Sequence, residues 1–196
     1  MLFRSILAVF LIGLGIGAGS GSRVVRRSRN VRASLGICLA LLTASVAWTA
    51  YMIANSLPFW PVDPWLSSNP WFNFQIDLLR VAWTVLPPTV FWGAAFPLAL
   101  AALSSSSGDP AKSAGKAYAA NTLGAIGGAL IFSMVAIPAI GTFRAEQCVI
   151  GLAVLAMIAA LADPAPLRNL TLSRTAWIVI PLLAASALWT QLQDLP

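Results

Sequence analysis

The chain has 196 residues, 59% of them hydrophobic and only 9% charged, with a mean hydropathy of +0.83. A soluble domain is roughly a quarter charged, so this composition excludes a chain that must cover an ordinary water-facing surface. The net charge of +6 arises from 12 Lys and Arg against 6 Asp and Glu that fall mostly between apolar runs. These basic residues therefore read as topology signals and contacts with anionic lipid headgroups rather than a nucleic-acid surface.

A helix needs about 20 apolar residues to cross a bilayer, which divides the chain into about six spans. The first is expected over residues 2–20 and ends at a loop carrying Arg23, Arg26, Arg27, Arg29 and Arg32. Arg4 before an apolar run has the outline of a signal peptide. The arginines follow the run, however, and no A-x-A site precedes them, so the span reads as retained. Gly13 to Ala18 fits the G-x-G-x-x-G/A dinucleotide pattern, but it lies within an apolar run, and no acidic residue occurs before Asp63. Helix packing is the better reading, because Gly13 with Gly17 and Gly15 with Gly19 form G-x-x-x-G pairs.

The second span is expected over 33–55, followed by a polar and aromatic loop, 56–77, with Trp60, Trp65 and Trp71 suited to an interfacial belt. The third, 78–103, reads as interrupted at Pro87-Pro88 and again at Pro97. A polar link, 104–116, leads to the fourth span, 117–140, and a tight turn at Gly141-Thr142 to the fifth, 145–162. The 163–175 loop and a sixth span, 176–192, complete the pattern. Lipid offers backbone groups no partners, so the expected fold is an all-α polytopic bundle forming a single transmembrane domain. Alternating segments of a β-barrel are not present.

The loops after the odd spans hold nine basic residues, Arg23, Arg26, Arg27, Arg29, Arg32, Lys112, Lys116, Arg168 and Arg174, against Arg4, Arg80 and Arg144 opposite. The positive-inside rule places the nine in the cytoplasm. The acceptor-like triplet Asn169-Leu170-Thr171 then lies on the wrong side for glycosylation. Asp77 with Arg80, and Arg144 with Glu146, sit at span starts, where charges commonly snorkel or pair. Cys38 and Cys148 are isolated in apolar runs and there is no His, so the cysteines read as packing residues and no metal site is indicated.

Span four is the most informative stretch. Ala120, Gly124 and Gly128 recur every four residues, a stripe along which a neighbouring backbone can approach. Asn121, beside the stripe, carries an amide into the membrane and needs an interhelical hydrogen bond or a cavity. Helix packing and a substrate or gating contact both remain open for it.

Phe96-Pro97-Leu98-Ala99-Leu100, the Gly115–Gly128 stretch with Tyr118-Ala119-Ala120-Asn121-Thr122-Leu123-Gly124, and Ile137-Pro138-Ala139-Ile140-Gly141 closely resemble the membrane region of fused spermidine synthase-like proteins. Leu57 to Pro64 and Phe91 to Ala95 look like the same subgroup, so the resemblance covers most of the chain. It marks Asn121, Tyr118, Gly124, Gly128 and Pro97 as residues of helix packing or substrate contact. It also implies a bacterial inner (plasma) membrane and a fused or associated Rossmann-type aminopropyltransferase domain. That domain moves an aminopropyl group from decarboxylated S-adenosylmethionine to putrescine.

The sequence departs from that family in chemistry. It has no strand-plus-glycine-loop unit for a nucleoside cofactor and no acidic pair placed to orient a diamine. No catalytic, cofactor or metal residues are therefore assigned, and the chain is expected to be a fragment without the transferase. The expected role is anchoring or serving that enzyme. The alternatives are a polyamine-type transporter half, suggested by the broken third span, and a membrane helper subunit acting through helix contacts.

Overall fold

A computed structural model describes residues 2–60, 69–104 and 109–161. The sixth expected span, 176–192, the 163–175 loop and Trp65 lie outside them. The described residues fold into α1 (Leu2–Arg27), α2 (Val31–Tyr51), α3 (Pro70–Ser104), α4 (Pro110–Ile131) and α5 (Ile137–Leu161). A π turn at Met52–Ser56 and a 3-10 turn at Leu57–Phe59 extend α2, and a π turn at Phe132–Ala136 joins α4 to α5. Four continuous helical stretches are apolar and long enough to cross a membrane: Phe3–Arg27, Val31–Phe59, Pro70–Ser104 and Ala111–Thr142.

The helices run past their apolar cores because capping residues set the ends. Asn30 accepts a hydrogen bond from the Ala33 amide at 3.2 Å and opens α2. Asn69 accepts from the Trp71 amide at 3.0 Å, with Pro70 at the first helical position. Asp109 accepts from the amides of Ala111 and Lys112 at 3.0 and 3.2 Å, again followed by proline. Such side chains satisfy amides that the first turn leaves without carbonyl partners, and proline there has no amide to lose. Consequently α3 starts eight residues before the expected 78, and α4 seven before the expected 117. At 35 residues α3 is about 50 Å long, more than the roughly 30 Å hydrocarbon layer, so it must tilt or project.

The third span is not interrupted. Pro87, Pro88 and Pro97 all lie inside one continuous α3, which corrects the expectation of breaks. Proline 88 has no amide for the Thr84 carbonyl four residues earlier, and Thr49 of α2 supplies the missing donor. The Thr49 hydroxyl lies 2.7 Å from the Thr84 oxygen and 3.0 Å from its own Ser45 carbonyl, sharing one proton between them. Proline is tolerated in membrane helices where a neighbouring hydroxyl re-satisfies the freed carbonyl in this way.

α1 and α3 lie side by side in parallel. A Cβ on Gly13 would meet Thr89, one on Gly17 would overlap the Val90 carbonyl and lie 2.9 Å from the Ala94 nitrogen, and one on Gly21 would lie 2.7 Å from the Ala94 oxygen. In return, Gly93 of α3 sits against the backbone of Leu14. α2 runs antiparallel to α3: the Cys38 thiol donates to the Phe91 carbonyl at 3.3 Å, and Trp48 meets Trp83 edge-on at 6.1 Å. A small core of Cys38, Ala94 and Leu98, with Val25, Leu35 and Phe91 packed around it, joins these elements. Buried Gly36, Ala40, Thr43, Ala47 and Ala50 run along α2 at alternating steps of four and three, a spacing that keeps one seam facing its neighbours.

Gly141 breaks α5 with φ 79° and ψ 163°, a conformation reserved essentially for glycine. This agrees with the expected turn at Gly141-Thr142. The segment after it returns to α2: Ala159 and Ala160 share a cavity with Arg32 and Leu35 of α2 and with Ala99, Ala102 and Leu103 of α3. The starts of α1 and α3 share the other end, where Arg4, Asn69, Pro70, Trp71 and Phe74 line a cavity of about 550 Å³.

Candidate functional site: the α4 face and its junction with α3

The residues singled out in the sequence fall into two groups. Tyr118 leans from the third turn of α4 onto Phe96 of α3, ring centroids 5.0 Å apart and planes at 63°. This edge-to-face geometry suits the ring quadrupoles. Pro97, the next residue of α3, reaches back toward α1, where its Cγ would lie 2.9 Å from a Cβ on Gly21. Tyr118 and Pro97 thus belong to one junction of α1, α3 and α4.

Asn121, Gly124 and Gly128 do not join it. Asn121 is exposed, and a Cβ added at Gly124 or Gly128 would meet nothing within 4 Å. Around them Leu123 is 71% and Ile126 55% exposed. The described residues therefore bring no second helix to the Ala120–Gly124–Gly128 stripe. Thr122 on α4 and Ser133 in the π turn after it donate to the Tyr118 and Ala129 carbonyls at 2.9 and 2.6 Å, so their hydroxyls are satisfied without a neighbour. The Asn121 amide makes no such bond among the described residues.

At the far end of α3, Asp77 and Arg80 do not pair with each other. Arg80 donates instead through Nη2 to the Trp60 carbonyl at 3.1 Å, tying α3 to the segment that follows α2, while its Nε is buried without a partner among the described residues. Trp60 in turn donates through its indole nitrogen to the Ser56 hydroxyl at 3.1 Å. Asp77 is half-buried and Arg144 exposed.

Sequence reasoning missed the Thr49–Thr84 contact. Its signal was available in outline, since a proline at 88 frees the carbonyl of residue 84 and a hydroxyl on an adjacent span can meet it. Which hydroxyl does so is a matter of packing. Chemically, the α3–α4 junction can hold helices in register, and the bare α4 face can receive an apolar surface. No protein-family model, curated protein or solved structure matches this chain.

Proposed function

We propose that this chain is the membrane domain of a spermidine synthase-like protein, a bundle of about six spans in a bacterial inner membrane that anchors or serves an aminopropyltransferase. The reading rests on the block formed by Phe96–Leu100, Gly115–Gly128 and Ile137–Gly141, whose spacing and residues resemble that family. The block also has structural work in this chain. Phe96 and Tyr118 join α3 to α4, and Gly141 turns the chain into the segment that packs on α2. A transporter half draws its support from a discontinuous third span, and α3 runs unbroken through its prolines. Anchoring is therefore the better-supported role.

Two experiments test this. The chain reconstituted alone with putrescine and the aminopropyl donor forms no spermidine above a denatured control, while the natural reading frame or operon around it supplies a transferase that does. A genomic neighbourhood without such an enzyme would sink the proposal. For orientation, single cysteines at Ser28 and Ser67, in a background lacking Cys38 and Cys148, should label from opposite sides of the membrane. Labelling of both by an impermeant external reagent would overturn the cytoplasmic placement of the arginine loop.

A further inference from the structure

Among the described residues, the wall of the bundle between α1 and α2 is open. Both helices pack on α3 rather than closing on each other, and an apolar slot of about 200 Å³ lies between them. Val24 of α1 and Ile37 and Leu41 of α2 line its sides, and Phe91, Ala94 and Leu98 of α3 line its floor. Val24 is 42% and Ile37 37% exposed, so the slot opens outward toward the surroundings of the bundle. On α2 the lining runs from Ile37 to Leu41. Leu41 lies about 15 Å along the helix from its start at Val31, half the roughly 30 Å hydrocarbon layer, so the inner end of the slot lies about one leaflet from that start.

The end of α1 and the link to α2, just beyond the slot-lining Val24, are strongly cationic. Arg23, Arg26, Arg27 and Arg29 are exposed at the end of α1 and in the link to α2, and none has a hydrogen-bond or ion-pair partner among the described residues. No acidic residue occurs anywhere before Asp63, so neither helix flanking the slot can neutralise them. Clustered guanidinium groups directly beyond a membrane span attract anionic headgroups.

We propose that this slot holds an anionic phospholipid, with one acyl chain between α1 and α2 and its phosphate among Arg23, Arg26, Arg27 and Arg29. The slot is apolar where the chain lies and cationic where the head lies, at the depth a single leaflet requires. A second copy of the chain fits poorly, because a membrane-parallel dimer across this face brings two arginine loops to the same end. A zwitterionic lipid would fill the slot but leave the cations without net compensation.

The test uses the full chain in detergent with equal mole fractions of phosphatidylglycerol and phosphatidylcholine, each with a photoactivatable acyl chain. Retained lipid is counted by native mass spectrometry, and cross-links are mapped to peptides. Phosphatidylglycerol should be retained at least about fivefold over phosphatidylcholine, with cross-links on residues lining the slot. Val24→Trp, which blocks the slot and keeps every charge, should remove this preference and the cross-links. The combined change Arg26→Gln, Arg27→Gln and Arg29→Gln should remove the preference alone. Ile37→Trp is the second slot-filling variant should Val24→Trp fail to keep the helical content and elution of the parent.

Equal retention of the two lipids overturns the proposal. So does a preference that survives slot filling, which would place the lipid on the arginine surface only. Displacement of phosphatidylglycerol by millimolar inorganic phosphate would show a free-anion site, and a dimer mass with no slot cross-links would show a second copy there. Either result also overturns it.

Discussion

Two helices of this bundle carry the same small-residue signature and meet opposite fates. On α1, Gly13, Gly17 and Gly21 recur every four residues, and each presses on α3 so closely that a methyl group would collide with it. On α4, Ala120, Gly124 and Gly128 recur at the same interval, and Gly124 and Gly128 face open space. The difference lies in what is opposite. α3 answers the first stripe with its own Gly93 and Ala94, so two backbones approach mutually, whereas α4 touches α3 through the bulky Phe96–Tyr118 pair and leans away beyond it. A small-residue stripe thus permits close approach. The partner decides whether it happens.

The largest effect that can break this comparison is at Gly17. A Cβ there overlaps the Val90 carbonyl and crowds the Ala94 nitrogen, both backbone atoms that cannot swing away. Gly17→Ala should destabilise by about 1–3 kcal/mol and Gly17→Leu by more, read by denaturant unfolding in detergent. Gly15→Ala, two residues away on the open face of the same helix, is the control and should be neutral or slightly stabilising. Equal losses at both positions would mean that the close approach of α3 at Gly17 does not set the result, and a gain at both would mean that helix propensity outweighs the α1–α3 seam.

Next in size is the bond between α2 and α3. Thr49→Val removes the hydroxyl that meets the Thr84 carbonyl and should lower stability by roughly 0.5–2 kcal/mol. In a Pro88→Ala background the amide four residues on returns, so the same substitution should cost less. A double-mutant cycle with no coupling would remove the proposed reason that α3 passes its prolines unbroken. A smaller effect is expected at the edge of α4. Tyr118→Leu loses the ring pair with Phe96, and because Tyr118 is 57% exposed the loss should fall toward the lower part of about 0.5–1.5 kcal/mol.

These contrasts also show what the residues disclose before any coordinates. The helical class and the presence of four long apolar helical stretches were legible, since long uncharged stretches have few alternatives in a bilayer. Two helix starts were also legible, but in a different signal: Asn69-Pro70 and Asp109-Pro110 pair a capping side chain with a first-turn proline, and apolar content alone places those starts a turn or two late. The prolines of α3 looked like breaks because the compensating Thr49 hydroxyl lies 35 residues away in sequence. Of the two glycine pairs in α1, Gly13 with Gly17 engages α3 and Gly15 with Gly19 does not, a choice fixed by helix rotation against a neighbour the sequence does not identify. The same holds for Asn121. Its residue type states a need for a partner without saying where one is.

The smallest expected effect is at that residue. Asn121 is exposed on α4, beside a stripe that no described helix covers, so among the described residues its amide makes no bond that a substitution could remove. Asn121→Leu should therefore leave the unfolding of the purified chain within about 0.5 kcal/mol of the parent, as exposed positions generally do. The measurement is informative in the other direction as well. Interhelical bonds from such amides in membranes are worth roughly 0.5–2 kcal/mol, so a loss in that range would mean that a hydrogen-bonding neighbour outside the described residues sits on the stripe. Gly124→Leu separates the two cases further. On a bare face the larger side chain is harmless and even favours the helix, whereas against a close-packed backbone it would cost as much as Gly17→Leu does on α1. Agreement of both variants with the parent keeps α4 as the open counterpart of α1, and a joint loss would make the two stripes alike after all.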